Sequence, residues 1–322
     1  MKTLVVVSDV HYAGPTEMAR KGFEARSIQN PFQRALAQTY RGLVWMRDPL
    51  AHNGQFDKFL AAAGDPDLVV GNGDYSVDSA FVGLADDGVF ETVAWCLDEL
   101  RGRHGERFHS TIGDHELGKM NLLGGAGGLR LESYRRATER LGLKRFWTIE
   151  VGSYLLVGVT STLVALPIYA PEILPEERRG WEELRAAHLE EVRRAFASLR
   201  PAQRVLLFAH DPTALPFLAQ VDEVRRHLDQ VERTIVGHLH SNCILRQGEM
   251  LAGMPNITFL GNSIRRYSAA LRRARDWKPF HLLLCPSVSG IQWRKDGGFL
   301  RIELEEEARQ PLNVTLHPLP WD

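Results

Sequence analysis

Gly113-Asp114-His115-Glu116 closes the run Arg107 to Ile112, which reads as a strand. Four other sets stand in the same place relative to a strand. Asp9-Val10-His11 follows Leu4 to Val7, and Gly73-Asp74 follows Asp67 to Val70 with Gly71 and Asn72 between them. His210 follows Val205 to Phe208, and Gly237-His238-Leu239-His240 follows Thr234 to Val236. The short runs rich in Val, Leu and Ile are apolar on both faces, the pattern of parallel strands covered by helices on each side. Such a sheet gathers the loops at the carboxyl ends of its strands along one edge, so residues far apart in the chain meet there.

Helical spacing fills the intervals. Phe56 to Ala63 reads as a short helix, and Phe90, Val93, Leu97 and Leu100 form one apolar stripe. Leu131 to Leu141 and Val221 to Leu228 are further helices, and the helix marked by Leu189, Val192, Phe196 and Leu199 is stopped by Pro201. Phe146 to Glu150 and Tyr154 to Thr160 read as a hairpin turning at Gly152-Ser153. Pro167 to Arg179 is expected as a loop near the site or on its rim, and the glycine-dense Gly124 to Gly128 as a surface loop, since no Lys-Ser/Thr follows to make it a phosphate cradle. Beyond residue 240, strands are expected at Ile257 to Leu260, His281 to Leu284, Gly290 to Trp293 and Phe299 to Leu304, with a hairpin turn at Asp296-Gly297-Gly298.

Residues 12–54 hold no strand and exceed what a connection needs. Within them Pro31 to Met46 has helical spacing, with Phe32, Leu36, Leu43 and Met46 apolar, Arg34 and Arg41 between them, and Asp48-Pro49 as its stop. This stretch reads as an insertion that either lies over the site as a lid or packs on the core edge. Its basic and aromatic mixture also suits a membrane surface.

The 322 residues carry 39 basic and 40 acidic side chains for a net charge of −1, so composition gives no signal for a nucleic-acid backbone. One domain spanning 1–322 is expected. Cys96, Cys243 and Cys285 are odd in number and widely spaced, which argues against disulfides or a structural zinc site and makes each a buried filler. No run of about 18 apolar residues appears. Leu4 to Val7 is too short for a signal-peptide core, and a cytoplasmic location is expected.

Asp9, His11, Asp74, Asp114, His210, His238 and His240 mix carboxylate with imidazole, a set suited to manganese, iron or zinc. They are too many for one ion but would serve two metals about 3.5 to 4 Å apart. Any one of them alone is better read as a helix cap or a satisfied loop residue. Seven at strand ends in αβ order are not.

The five sets together resemble the calcineurin-like metallophosphoesterase superfamily over residues 1 to about 262. The resemblance implies an α/β fold, a four-layer αββα sandwich of two mixed β-sheets flanked by helices, with the helical insertion after the first strand. It implies one divalent transition-metal ion held by Asp9, His11, Asp74 and His240, and a second held by Asp74, Asp114, His210 and His238, with Asp74 bridging. It further implies a phosphomonoesterase or phosphodiesterase whose nucleophile is a hydroxide bridging the metals. His115 would face the leaving-group oxygen, and Glu116 would orient the His115 ring through its other nitrogen.

Asp114 departs from the family's usual Asn, replacing a neutral ligand by an anion that should tighten the metal and reduce its acidity. Asn262, Arg265, Arg266 and Tyr267 follow a strand expected near the metal loops and are candidates for contacting phosphate. Two rivals stand beside a phosphoester hydrolase: an interaction scaffold that keeps the fold without turnover, and a nuclease.

Overall fold

The computed structural model describes residues 1–305 and 311–321. Leu4, Val5, Val6 and Val7 are all fully buried, as a strand covered on both faces requires. They belong to β1 (Lys2–Val7), which pairs in parallel with β2 (Leu68–Gly71); β2 pairs in parallel with β3 (Phe108–Ser110). The second sheet holds β4 (Phe146–Val151), β5 (Tyr154–Val159), β6 (Arg204–Ala209), β7 (Val231–Val236) and β8 (Leu282–Leu284), in that order. Returning to the first sheet, β9 (Gly298–Leu304) and β10 (Asn313–Pro318) complete the order β10-β9-β1-β2-β3. Both sheets are mixed: β9 lies antiparallel to β1, and β4 antiparallel to β5.

The two-residue period of a strand divides the core. Leu4, Val6, Val70, Leu300 and Ile302 meet Trp147, Leu156, Leu206, Phe208 and Ile235 between the sheets. The alternate residues Val5, Val7, Val157 and Leu207 join the helical side chains in a second apolar cluster. These helices include α2 (Asn53–Ala62), α3 (Asp87–His104) and α4 (Arg178–Ala197), supplying Phe56, Phe59, Val93, Leu97, Trp181, Val192 and Phe196. Helix, sheet, sheet and helix give four layers. Ahead of them, α1 (Pro31–Leu43) lies in the segment after β1, with Pro31 in its first turn and the Asn30 side chain accepting from Phe32 and Gln33 N–H.

The carboxyl-terminal third departs from the sequence reading. Residues 257–260 and 290–293 are not strands, and the 296–298 turn joins no hairpin. Phe259 and Leu260 are exposed, so nothing packs on them to hold a strand. The 290–297 loop is instead pinned by Asp296, which accepts from Ser241 Oγ and Ile291 N–H. β9 takes β10 as its partner on one side and β1 on the other. Helices α5 (Asn242–Met250) and α6 (Asn262–Arg272) occupy this region. The expected 167–179 loop is broken by short helical turns, and α4 starts within it at Arg178. Cys96 and Cys285 are buried as fillers, whereas Cys243, in the first turn of α5, is only half-buried.

Candidate metal centre

Backbone hydrogen bonds stitch the strand-end loops together. Asp9 N–H donates to Gly73 O at 3.1 Å, His11 N–H to Asp74 O at 3.1 Å, and Gly237 N–H to His210 O at 2.9 Å. The loops pay for this with strain: Asp9, His11, Asp74, His238 and His240 all have φ between 46° and 61°. Non-glycine residues held in this left-handed region cost on the order of 1–3 kcal/mol each and cluster at sites that need them there. Gly73 has φ 89°, and a Cβ on it would come within 2.8 Å of the Gly113 backbone. Only glycine lets the two loops touch.

All seven candidate ligands converge. Ligand atoms of Asp74, Asp114, His210 and His238 lie within 4.8 Å of one another, as do those of Asp9, His11 and His240. His11 Nε2 and His240 Nε2 face each other at 3.0 Å, and His240 Nε2 is 3.4 Å from Asp9 Oδ1. On the other side, His210 Nε2 lies 3.1 Å from Asp74 Oδ2 and 3.4 Å from Asp114 Oδ1, while His238 Nδ1 lies 3.1 Å from Asp114 Oδ1.

The imidazole tautomers favour cation binding. His210 Nδ1 is 2.7 Å from Asn72 O and His11 Nδ1 is 3.2 Å from Ser76 O. A carbonyl accepts only, so each Nδ1 carries the proton and each Nε2 turns its lone pair inward. His210 Nε2 is buried and makes no hydrogen bond among the described residues.

Three buried carboxylates also need positive charge. Burial pushes Asp9 up, but His210, His11 and His240 outweigh it and hold its carboxyl far below the usual range. For Asp114, burial is likewise overcome, by His238 and then Arg266. Burial lowers His210, yet Asp74 and Asp9 raise it well above an ordinary imidazole. The anions thus favour the charged form of His210 and His238, whereas burial holds His240 well below the ordinary imidazole range. Ion-sized positive charge suits this donor set, and the residues present fit two divalent ions.

His115 joins neither group above, although its ring nitrogen lies within 4.8 Å of ligand atoms of His11 and Asp74. Its Nδ1 is 3.0 Å from Ser76 O, and its Nε2 contacts Lys119 Nζ. The expectation that Glu116 orients this ring is corrected here. Glu116 instead accepts from the backbone N–H groups of Gly113, Asp74 and Tyr75 at 2.7–2.9 Å, the return bond of a helix-start capping box extended to the neighbouring loop. Burial and the Asp74 charge push its carboxyl up to about 7.

The four phosphate-contact candidates divide. Arg266 Nη2 donates to Asp114 Oδ2 at 2.9 Å, and its guanidinium lies 4.4 Å from the centre of the Tyr169 ring. Arg265 is spent on Asn262 Oδ1, Ile168 O and Glu172, so it is already committed within the protein. Among the described residues the buried Nδ2 of Asn262 and the buried Oη of Tyr267 have no hydrogen-bond partner.

Sequence reasoning missed Lys119, Ser76, Tyr169, Asp211 and Trp45. Asp211 Oδ2 accepts from Tyr169 Oη at 2.6 Å and lies 3.8 Å from His238 Nε2. The Trp45 ring lies 4.7 Å from that of His240. Two of these carried a positional signal, since Asp211 adjoins His210 and Lys119 stands four residues after His115.

No protein-family model matches the sequence, and no curated protein matches it. Among solved structures, a dimetal phosphatase from Danio rerio superposes with a TM-score of 0.51 at 12% identity, over 98% of this chain and 96% of that one. The chain has the calcineurin-like metallophosphoesterase fold. Weaker likenesses are to a purple acid phosphatase from Lupinus luteus, with TM-score 0.37, 13% identity and coverage of 74% of this chain and 38% of that one, and to a metallophosphoesterase from Sphaerobacter thermophilus, with TM-score 0.36, 11% identity and coverage of 100% and 89%. In this metallophosphoesterase fold the two ligand groups stand at the carboxyl ends of the strands of both sheets, where their loops meet.

Proposed function

We propose that this chain is a two-metal hydrolase of phosphoesters. The observation that carries the reading is the pair of ligand groups at one sheet edge, with the Asp74 carboxylate within reach of His210 at 3.1 Å on one side and of His11 at 4.0 Å on the other. Asp9, His11, Asp74 and His240 would hold one ion, and Asp74, Asp114, His210 and His238 the other. When bound, two such ions neutralise phosphate oxygens and bring the pKa of water down to about 7.

The chain's own residues do the rest. Ser76 O fixes the tautomer of both His11 and His115, so Nε2 of His115 is an acceptor beside Lys119. Burial first, with help from Lys119, keeps the His115 ring well below the ordinary imidazole range despite Asp74. Through the contact of Lys119 Nζ with His115 Nε2, the two side chains together would deliver a proton toward a leaving-group oxygen. Glu116 ties Asp74 and Gly113 into one rigid turn rather than touching the reacting atoms. The complete ligand set disfavours a scaffold without turnover.

The test is metal analysis together with turnover of an aryl phosphate and an aryl phosphodiester. Two transition-metal ions per chain with hydrolysis of at least one ester, both lost in Asp74→Asn, are expected. Two ions without turnover of either ester or of a nucleotide panel would move the reading to a scaffold, and turnover confined to polynucleotides would move it to a nuclease.

A further inference from the structure

Helix α1 is amphipathic the wrong way round for a helix that packs on a core. Its apolar stripe, Phe32, Leu36, Tyr40 and Leu43, is 77%, 63%, 49% and 68% exposed. Its polar face turns inward instead: Arg34 donates to Ile28 O at 2.8 Å, and Arg41 Nε lies 2.6 Å from Glu24. None of its residues is buried. A globular helix normally buries the apolar stripe, so this face awaits an apolar surface.

The exposed side chains continue beyond α1. Trp293, 63% exposed, is tied by its N–H to Val44 O just past the end of the helix. The phenol of Tyr40 adds to burial in raising that of Tyr267 on α6, and Phe259, Leu260 and Ile264 around the start of α6 are exposed as well. The patch stands at the metal centre, because Trp45, two residues after α1, lies against His240.

Its charge selects the occupant. Beyond the ion pairs Arg20–Asp86, Arg41–Glu24, Arg265–Glu172, Arg266–Asp114 and Arg273–Asp276, residues 18–47 add Lys21, Arg26, Arg34 and Arg47, and residues 261–278 add Arg272, Arg275 and Lys278, in a chain of net charge −1. Arg294 and Lys295 follow Trp293 directly. Two copies docked through this face would bring like charges together, whereas an anionic lipid bilayer satisfies both the apolar stripe and the basic surround. We propose that α1 and its neighbours dock this protein on an anionic bilayer, with the candidate metal centre held at the lipid surface. This docking does not depend on the reaction proposed above.

Cosedimentation of the full chain with vesicles tests it. The arms are pure phosphatidylcholine and phosphatidylcholine with about 30 mol% phosphatidylserine. The full chain is expected to pellet with the anionic vesicles and to lose affinity about tenfold in Phe32→Gln/Leu36→Gln/Leu43→Gln, with further weakening as salt rises. The variant should keep the unfolding transition and metal content of the parent. No pelleting with anionic vesicles, or equal pelleting of parent and variant, overturns the proposal. A parent dimer in light scattering that the variant dissolves, without vesicle binding, makes the face a contact between copies and overturns it too. Absence of ester turnover would sink the hydrolase reading and leave vesicle binding untouched.

Discussion

Arg266 Nη2 donates to Asp114 Oδ2 at 2.9 Å, while Asp114 Oδ1 faces His238 Nδ1 at 3.1 Å. The carboxylate that stands where the resembled pattern has Asn thus meets a largely buried guanidinium 152 residues away. The pair adds no net charge to the site, so the anion's effect on a metal is offset by its partner.

A charge cycle follows. Asp114→Asn removes a negative charge and leaves Arg266 to Glu172, Asp211 and Tyr169, which would raise the positive potential at the proposed metal pair and make bound water more acidic. The lower limb of the pH–rate profile is expected to move to lower pH by about one unit, the scale of a charge a few ångströms away at an effective dielectric near 20. Arg266→Gln should move it the other way, and the double variant should return close to the parent. Equal limbs in all four proteins, at equal metal content, would show that the pair does not tune the metals.

Lys119 and His115 differ in what they should do to different esters. A proton matters most when the leaving group is a poor one. Lys119→Met is therefore expected to slow alkyl phosphate esters by about a hundredfold while slowing nitrophenyl esters far less. His115→Asn should reduce both and keep two metals bound. Equal losses on the two leaving groups in Lys119→Met would instead point to phosphate binding by the ammonium.

Trp45 offers a reading of metal occupancy without turnover. Its ring lies 4.7 Å from that of His240, whose orientation changes if its Nε2 takes a metal rather than facing His11. Stripping the protein with a chelator and restoring manganese or zinc should change tryptophan emission in the parent. Trp45→Phe should abolish most of that change while binding two ions as before. A change of full size in the variant would assign the signal to another of the seven tryptophans.

The convergence of the strand-end Asp and His residues was legible because a buried parallel strand is apolar on both faces and stops abruptly at its polar loop, as Val7 does before Ser8 and Asp9. What stayed hidden involved backbone atoms or long-range partners. Ser76 O leaves no side-chain signature as the acceptor from His11 and His115, and nothing local marks Arg266 as the partner of Asp114. Glu116 was misread for a related reason: its spacing from Gly113 fits a capping role as well as a catalytic one, and the three backbone donors around it decide between them. In the last third, the apolar residues of 257–260 suggested a strand, but Phe259 and Leu260 project to solvent, while β10 lies at a sheet edge where its apolar alternation is weak.

Glu191 gives a stability test far from the metals. It accepts from Arg145 Nε and Nη2 at 2.8 and 2.9 Å, and His188 Nδ1 lies 3.5 Å away. Burial pushes its carboxyl up, but His188 and Arg145 outweigh burial and hold it at about 2, against 4.5 for a free glutamate. A carboxyl lowered by folding binds fewer protons in the native state, so its contribution is complete above pH 4.5 and is lost as pH falls toward 2. With the pair partly solvated, that contribution is about 1 kcal/mol rather than the full value of the shift. Urea titrations of the parent and Glu191→Gln should therefore differ by about this amount at pH 6 and converge as the pH is lowered through that window. A difference that persists unchanged at pH 3 would assign the effect to packing of the side chain instead of its charge.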